Sequence, residues 1–118
     1  MTATIYGIKN CDTMKKAFTW LDAHGVDYTF HDYKKDGVPV AKLKTWAQAV
    51  GWEKLVNMRG PTFRKIPEVD RESLNAARAI KLLEEYSSAI KRPIVEADGK
   101  LAVGFDPEEL EQVFGKKR

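Results

Sequence analysis

Cysteine is nearly absent from this chain. Cys11 is the only one among 118 residues, so no internal disulfide can form, and with only His24 and His31 beside it no cluster has the spacing of a structural zinc site. Long apolar runs are missing too: no window approaches the roughly eighteen residues needed to cross a bilayer, so no membrane partner is expected. The opening stretch, MTATIYGIKN, lacks the basic, apolar and small-residue succession of an export signal, which makes the cytoplasm the expected location. Charge of one sign is not concentrated. The net charge of +3 comes from 20 basic and 17 acidic residues that interleave, a pattern that speaks against nucleic acid and weakly favours a small anionic ligand. The GKKR tail is too short for a nucleic-acid arm. Repeats, low-complexity tracts and linkers are also lacking, so a single domain over 1–118 is expected.

What is present has the balance of a soluble globular chain, with 43% hydrophobic and 31% charged residues. TATIYGI is a β-prone run ended by Gly7 and reads as a buried first strand. Asn10 suits a helix N-cap, and Met14, Ala17, Phe18 and Leu21 then fall on one helical face, with His24-Gly25 as the stop. VDYTFHDY alternates as a second strand. From about 39 to 90 the spacing turns helical, with Val40, Leu43, Trp46, Ala47 and Val50 on one stripe and Leu74, Ala77, Ile80, Leu83 and Tyr86 on another. Between these stripes, NMRGPTFRKIPEV is a cation-rich loop or short broken helix. PIVEA and KLAVGF, joined by Asp98-Gly99, make a hairpin, and Asp106 with Pro107 opens a last helix bearing Leu110, Val113 and Phe114. The order predicts an α/β, thioredoxin-like fold: a mixed four-stranded sheet flanked by helices, with a helical insertion between the second and third strands.

Cys11 falls between a strand end and a helix start. Free amides and the positive end of the helix macrodipole at such a place stabilise a thiolate, and Lys9 adds a nearby positive charge that Asp12 partly opposes. A buried filler is the ordinary role of cysteine, yet an apolar filler belongs at Phe18 or Leu21 rather than at a capping turn. Two familiar uses of a reactive cysteine fail on its neighbours. A phosphatase loop needs arginine six residues on, where Ala17 stands, and an internal dithiol needs cysteine three residues on, where Met14 stands. A disulfide made at Cys11 must then be released by a thiol from another molecule.

YGIKNCDTMKKAFTWL, together with YTFHDYKKDG, GWEKLVNMRGPTFRK and IKRPIV, resembles the arsenate reductase and Spx-like (ArsC) family, most closely its YffB-type branch, over essentially the whole chain. The resemblance implies a thioredoxin-like fold with Cys11 as nucleophile. It also implies that Arg59 and Arg92 correspond to two arginines that hold the oxyanion in arsenate reductases, and that Pro93 is the cis proline facing the cysteine. Gly7 stands where glutathione-dependent arsenate reductases carry a histidine, and VGFDPEEL lacks their third arginine. The Cys-x-x-Cys switch common in Spx-like regulators, which bind RNA polymerase, is broken by Met14.

The function expected is that of a glutathione-dependent thiol reductase, an oxidoreductase with one nucleophilic cysteine. Arsenate reduction and an Spx-like binding role are the alternatives. Cys11 is the expected catalytic residue, and Arg59, Arg92, Pro93, Lys9 and Asn10 are the expected substrate-binding set. Glutathione serves as co-substrate, with a disulfide or oxyanion as the other substrate, an external resolving thiol protein as a further candidate partner, and no bound cofactor or metal. Guanidinium groups suit that task, because their fork of donors matches a carboxylate or oxyanion with two parallel hydrogen bonds.

Overall fold

The computed structural model describes residues 2–115, so Lys116 to Arg118 of the basic tail lie outside the described residues. Two compact units emerge, one formed by the chain up to Asp36 and again from Arg92 onward, the other by Gly37–Lys91.

The first unit is built on a four-stranded sheet of order β2-β1-β3-β4, with β1 at Thr2–Gly7, β2 at Asp27–Asp32, β3 at Ile94–Ala97 and β4 at Lys100–Val103. β1 pairs in parallel with β2 and antiparallel with β3, and β3 pairs antiparallel with β4, so the sheet is mixed, as the thioredoxin-like expectation requires. Strand alternation gives the sheet two different faces. Ala3, Ile5, Val95, Ala97 and Ala102 join Met14, Ala17 and Leu21 of helix α1 (Asp12–Ala23) and Leu110 and Val113 of the last helix, α8 (Pro107–Phe114), in one buried cluster. Tyr6 and Glu96 belong to the opposite face. Burying a side chain the size of Leu21 or Leu110 contributes about 1.5–3 kcal/mol, so this cluster anchors both helices to the strands.

Local signals set the ends of these elements. Asp98 (φ 50) and Gly99 (φ 76) both adopt the left-handed conformation that a two-residue hairpin turn demands, which is why Asp-Gly was legible. Asp106 caps α8 by accepting from the Glu108 amide, with Pro107 in the first turn. At the other helix the expected cap is displaced by one residue. Cys11 rather than Asn10 is the N-cap of α1, because Cys11 has extended backbone angles while its carbonyl already accepts the Lys15 amide at 3.0 Å. The second strand also stops earlier than VDYTFHDY suggests. The Asp32 carboxylate accepts the Lys34 amide at 2.9 Å and turns the chain, and Tyr33 opens a single helical turn, α2 (Tyr33–Asp36).

In the second unit, α3 (Val40–Val50) buries Leu43 and Trp46 and the short α4 (Trp52–Leu55) buries Leu55. The cation-rich segment forms two short helices, α5 (Pro61–Lys65) and α6 (Glu68–Arg71), on either side of buried Ile66. Helix α7 (Ala76–Glu85), capped by the Asn75 side chain, follows, then a 3-10 turn at Ser87–Ala89. Its inner face corrects the expected stripe: Ala79, Leu82 and Leu83 are buried, while Ala77 is exposed and Leu74 precedes the helix. The cap at Asn75 sets the helical phase and turns Ala79, not Ala77, inward. An isolated bridge between Val56 and Ile90, with the Asn57 amide on the Ala89 carbonyl at 2.8 Å, ties the segment after α4 to the end of the unit.

Candidate active site around Cys11

The loop leaving β1 brings Cys11 to the start of α1. Tyr6 and Gly7 finish the strand, Lys9 and Asn10 are exposed, and the Cys11 amide donates to the Lys9 carbonyl at 3.1 Å in a tight turn. Cys11 itself is half-buried, open enough to meet a reactant. Its sulfur closes no capping hydrogen bond of full geometry, but it faces the first amides of a twelve-residue helix.

The thiol is held below its ordinary value. Burial is the largest single influence and pushes it up; the Met14 amide, the Arg92 guanidinium and the Thr13 amide together outweigh that. The helix start thus acts as expected, but the helping cation is Arg92, not Lys9. The Lys9 side chain is exposed on the turn, whereas Arg92 is half-buried and its guanidinium both hydrogen-bonds and attracts the sulfur.

Arg92 is aimed by the chain that follows it. The Arg92-Pro93 peptide bond is cis, as the resemblance implied, and Pro93 is fully buried with its carbonyl accepting the Gly104 amide at 2.8 Å. β3 then runs antiparallel beside β1, with Ile94 opposite Tyr6, so the residue before Pro93 arrives at the end of β1 from which Cys11 departs. Cys11, Arg92 and Pro93 therefore belong to one unit. Arg59 is exposed on the turn before α5 in the other unit, and Arg64 and Lys65 are exposed within α5.

Beneath the cysteine, the position of a would-be second thiol is filled. Met14 is fully buried, and a side chain built on Gly7 would place its Cβ 2.4 Å from the Met14 Sδ and 2.7 Å from its Cε. The absence of a side chain at 7 and the thioether at 14 are one packing solution.

Sequence reasoning missed a cluster on the opposite sheet face. Tyr6 donates its hydroxyl to Glu96 Oε1 at 2.7 Å across β1 and β3, its ring lies 5.2 Å from that of His31, and His31 lies 6.0 Å from Tyr33. Burial, then its bond to Glu96, pushes the Tyr6 phenol far above its ordinary range. Burial does the same to Tyr33; Tyr6 and Glu96 add to the effect and Arg92 opposes it, which puts Tyr33 within the field of the arginine that faces Cys11. The alternation at Tyr6, and Glu96 set among apolar residues in IVEA, were the available signals. Among the described residues, no three His, Cys, Asp or Glu side chains gather to hold a metal ion, and no helix is long and apolar enough to cross a membrane.

Known proteins are similar to this chain in sequence and fold. The solved structure of a protein named YffB is 45% identical and superposes with a TM-score of 0.91 over 97% of this chain and 99% of its own. An arsenate reductase (ArsC) related protein from Brucella melitensis is 54% identical, with a TM-score of 0.75 over 97% of this chain and 95% of its own. A global transcriptional regulator Spx of Lactococcus lactis is 31% identical over 91% of this chain and 82% of its own. The model of the ArsC family matches residues 6–113, a span that contains Cys11, Arg59, Arg92 and Pro93, and the chain belongs to that family.

Proposed function

We propose that the chain is a glutathione-dependent thiol reductase. The observation that carries this reading is the solitary Cys11 sulfur at the start of α1, with helix amides and Arg92 lowering its pKa and a buried Met14 where an internal resolving thiol would stand. A thiolate so placed attacks a mixed disulfide between a substrate thiol and glutathione. The new bond joins Cys11 to the glutathionyl sulfur, and the substrate leaves as its thiolate. A second glutathione thiolate then attacks the glutathionyl sulfur of the adduct, leaving as oxidised glutathione and returning Cys11 as a thiolate. The net change is one mixed disulfide and one glutathione thiolate converted to a free substrate thiolate and oxidised glutathione. No electron carrier beyond glutathione is required.

Arg92 serves two purposes in this scheme. It stabilises the Cys11 thiolate before attack and as leaving group, and its fork of donors suits a glutathione carboxylate. Arg59, exposed on its turn, carries a guanidinium of the same chemistry and is a candidate to bind a carboxylate in its own right. Pro93 fixes the approach of Arg92, while Lys9 and Asn10, exposed on the turn before Cys11, border the entry to the sulfur. Intact mass after incubation with oxidised glutathione tests the scheme: one glutathionyl adduct forms on the wild type, none on Cys11→Ser, and added glutathione removes it. A wild type that stays unmodified across pH 6 to 9 would refute it.

Arsenate reduction is the second reading, favoured by the likeness to the ArsC-related Brucella protein and by a guanidinium beside the sulfur that suits a tetrahedral oxyanion. The packing at Gly7 weighs against it. The position at which glutathione-dependent arsenate reductases carry a histidine has no room here for even a methyl group unless Met14 moves. Arsenite formation dependent on glutathione and on Cys11 would establish this activity.

A further inference from the structure

Tyr33 is buried to 3% exposure, and its hydroxyl oxygen is sealed from solvent with no hydrogen-bond partner among the described residues. A buried hydroxyl left unmatched is destabilising, and a bound ion or ligand is one of the few partners that account for such a group. Tyr33 could have been a phenylalanine for packing alone. Its surroundings say what the hydroxyl is for. Tyr6, Glu96 and Arg92 act on the Tyr33 phenol, and Glu96 is already engaged by the Tyr6 hydroxyl at 2.7 Å. The His31 ring, 5.2 Å from Tyr6 and 6.0 Å from Tyr33, fills the side toward β2. The cation in this group is Arg92, which also faces the Cys11 sulfur. Asp32 pairs with Gly7 and Ile94 with Tyr6, so Tyr33, Arg92 and the loop to Cys11 all adjoin the same end of β1; a hydroxyl donor and a guanidinium gathered at one strand end are complementary to an anion.

We propose that the Tyr33 hydroxyl is an anion-binding group, which together with Arg92 holds a compact anion, a carboxylate or a tetrahedral oxyanion, next to Cys11. The inference rests on the reading of Cys11 as a nucleophile toward anionic substrates, and it adds the residue that recognises the anion. Arg92, long and half-buried, is the side chain that gives way to admit it. A guanidinium alone attracts any anion nearby, whereas a fixed hydroxyl at a second angle selects one of limited size and defined direction. The arrangement exchanges stability for recognition, with the hydroxyl's missing partner supplied by the ligand.

That exchange makes the test two-sided. The full chain and its Tyr33→Phe variant are titrated with S-methylglutathione and, separately, with inorganic phosphate, and binding is followed by amide chemical shifts; thermal midpoints of both proteins are measured without added anion. A lost hydrogen bond to a charged group predicts affinity weaker by about tenfold or more in the variant, with a midpoint equal to or above that of the wild type. Loss in the S-methylglutathione titration assigns the anion as a carboxylate, and loss only with phosphate assigns it as a tetrahedral oxyanion. Unchanged affinity for both anions overturns the proposal, as does a variant of lower midpoint, which would show the hydroxyl to be structurally engaged. Neither probe can react with Cys11, so binding that depends on Tyr33 in a protein whose Cys11 takes no glutathione would refute the reductase reading alone.

Discussion

Adding one methyl group at Gly7 drives it into the Met14 thioether. The new Cβ would lie 2.4 Å from Sδ and 2.7 Å from Cε, whereas non-bonded carbon contacts settle near 3.5–4.0 Å, so the sulfur must retreat by roughly 1 Å. Met14 is flexible, which lowers the cost, but it is fully buried in the cluster with Ile5, Ala17, Leu21 and Val95, which leaves it little room. Overpacking of this kind costs about 1–3 kcal/mol, and the flexible partner places Gly7→Ala near 1–2. Met14→Ala alone leaves a cavity and costs about 2–5 kcal/mol. In that background Gly7→Ala loses its clash, so the two substitutions together cost less than their sum by about 1–2 kcal/mol. Urea unfolding of the four proteins measures the cycle. Additivity to within about 0.3 kcal/mol would refute the packing argument, and with it the claim that the bare strand end and the missing second thiol are coupled.

Replacing Arg92 with Leu removes a hydrogen bond and a positive charge from the Cys11 sulfur, so the midpoint of its alkylation by iodoacetamide moves to higher pH. At neutral pH the rate falls by about three- to tenfold after solvent screening is allowed for; an unmoved midpoint would leave the helix amides alone responsible. Because the folded thiol titrates below its unfolded value of about 8.5, the unfolded chain binds more protons in that window and Cys11 adds stability as pH rises through it. Unfolding free energies should therefore rise with pH more steeply for the wild type than for Cys11→Ser below about pH 8.5, and parallel curves would contradict the lowered pKa. Asp106→Ala removes the cap from the Glu108 amide and should cost about 1 kcal/mol in urea unfolding while leaving Cys11 alkylation unchanged.

The fold was legible wherever local chemistry and global geometry agreed. Asp98-Gly99 supplies two left-handed residues to a turn that needs them, and Asp106-Pro107 supplies both a cap and a first-turn residue, so hairpin and last helix follow from a few positions. Elements misplaced by a residue or more are those where two acceptable caps compete. Asn10 is the better capping side chain, but the turn fixed by the Cys11 amide on the Lys9 carbonyl gives the cap position to Cys11. At β2, a strand-like alternation continued through Tyr33 until the Asp32 side chain took the Lys34 amide and bent the backbone away. Short-range hydrogen bonds of Asp and Asn side chains override periodicity over one or two residues, too few for a pattern to register.

For the site, the thiol and its place at a helix start could be read from one short segment and its electrostatics could not. The helix amides that act on Cys11 come from Thr13 and Met14, two and three residues away, and any N-terminal helix turn would supply them. Arg92 comes from far along the chain, carried to the sulfur by the antiparallel pairing of β3 with β1. Lys9 is nearer in sequence yet exposed, because a residue on the outer edge of a tight turn turns its side chain to solvent. Sequence proximity therefore suggested Lys9, and the resemblance named Arg92 only as a residue that holds an anion, not as the cation acting on the thiol. The same pairing explains why the Tyr33 neighbourhood was hidden. Tyr6, His31, Glu96 and Arg92 come from β1, β2, β3 and the residues before β3, and their shared face exists only once parallel and antiparallel registers are both fixed. A mixed sheet thus brings to the Cys11 sulfur a distant charge that no neighbouring segment of the chain supplies.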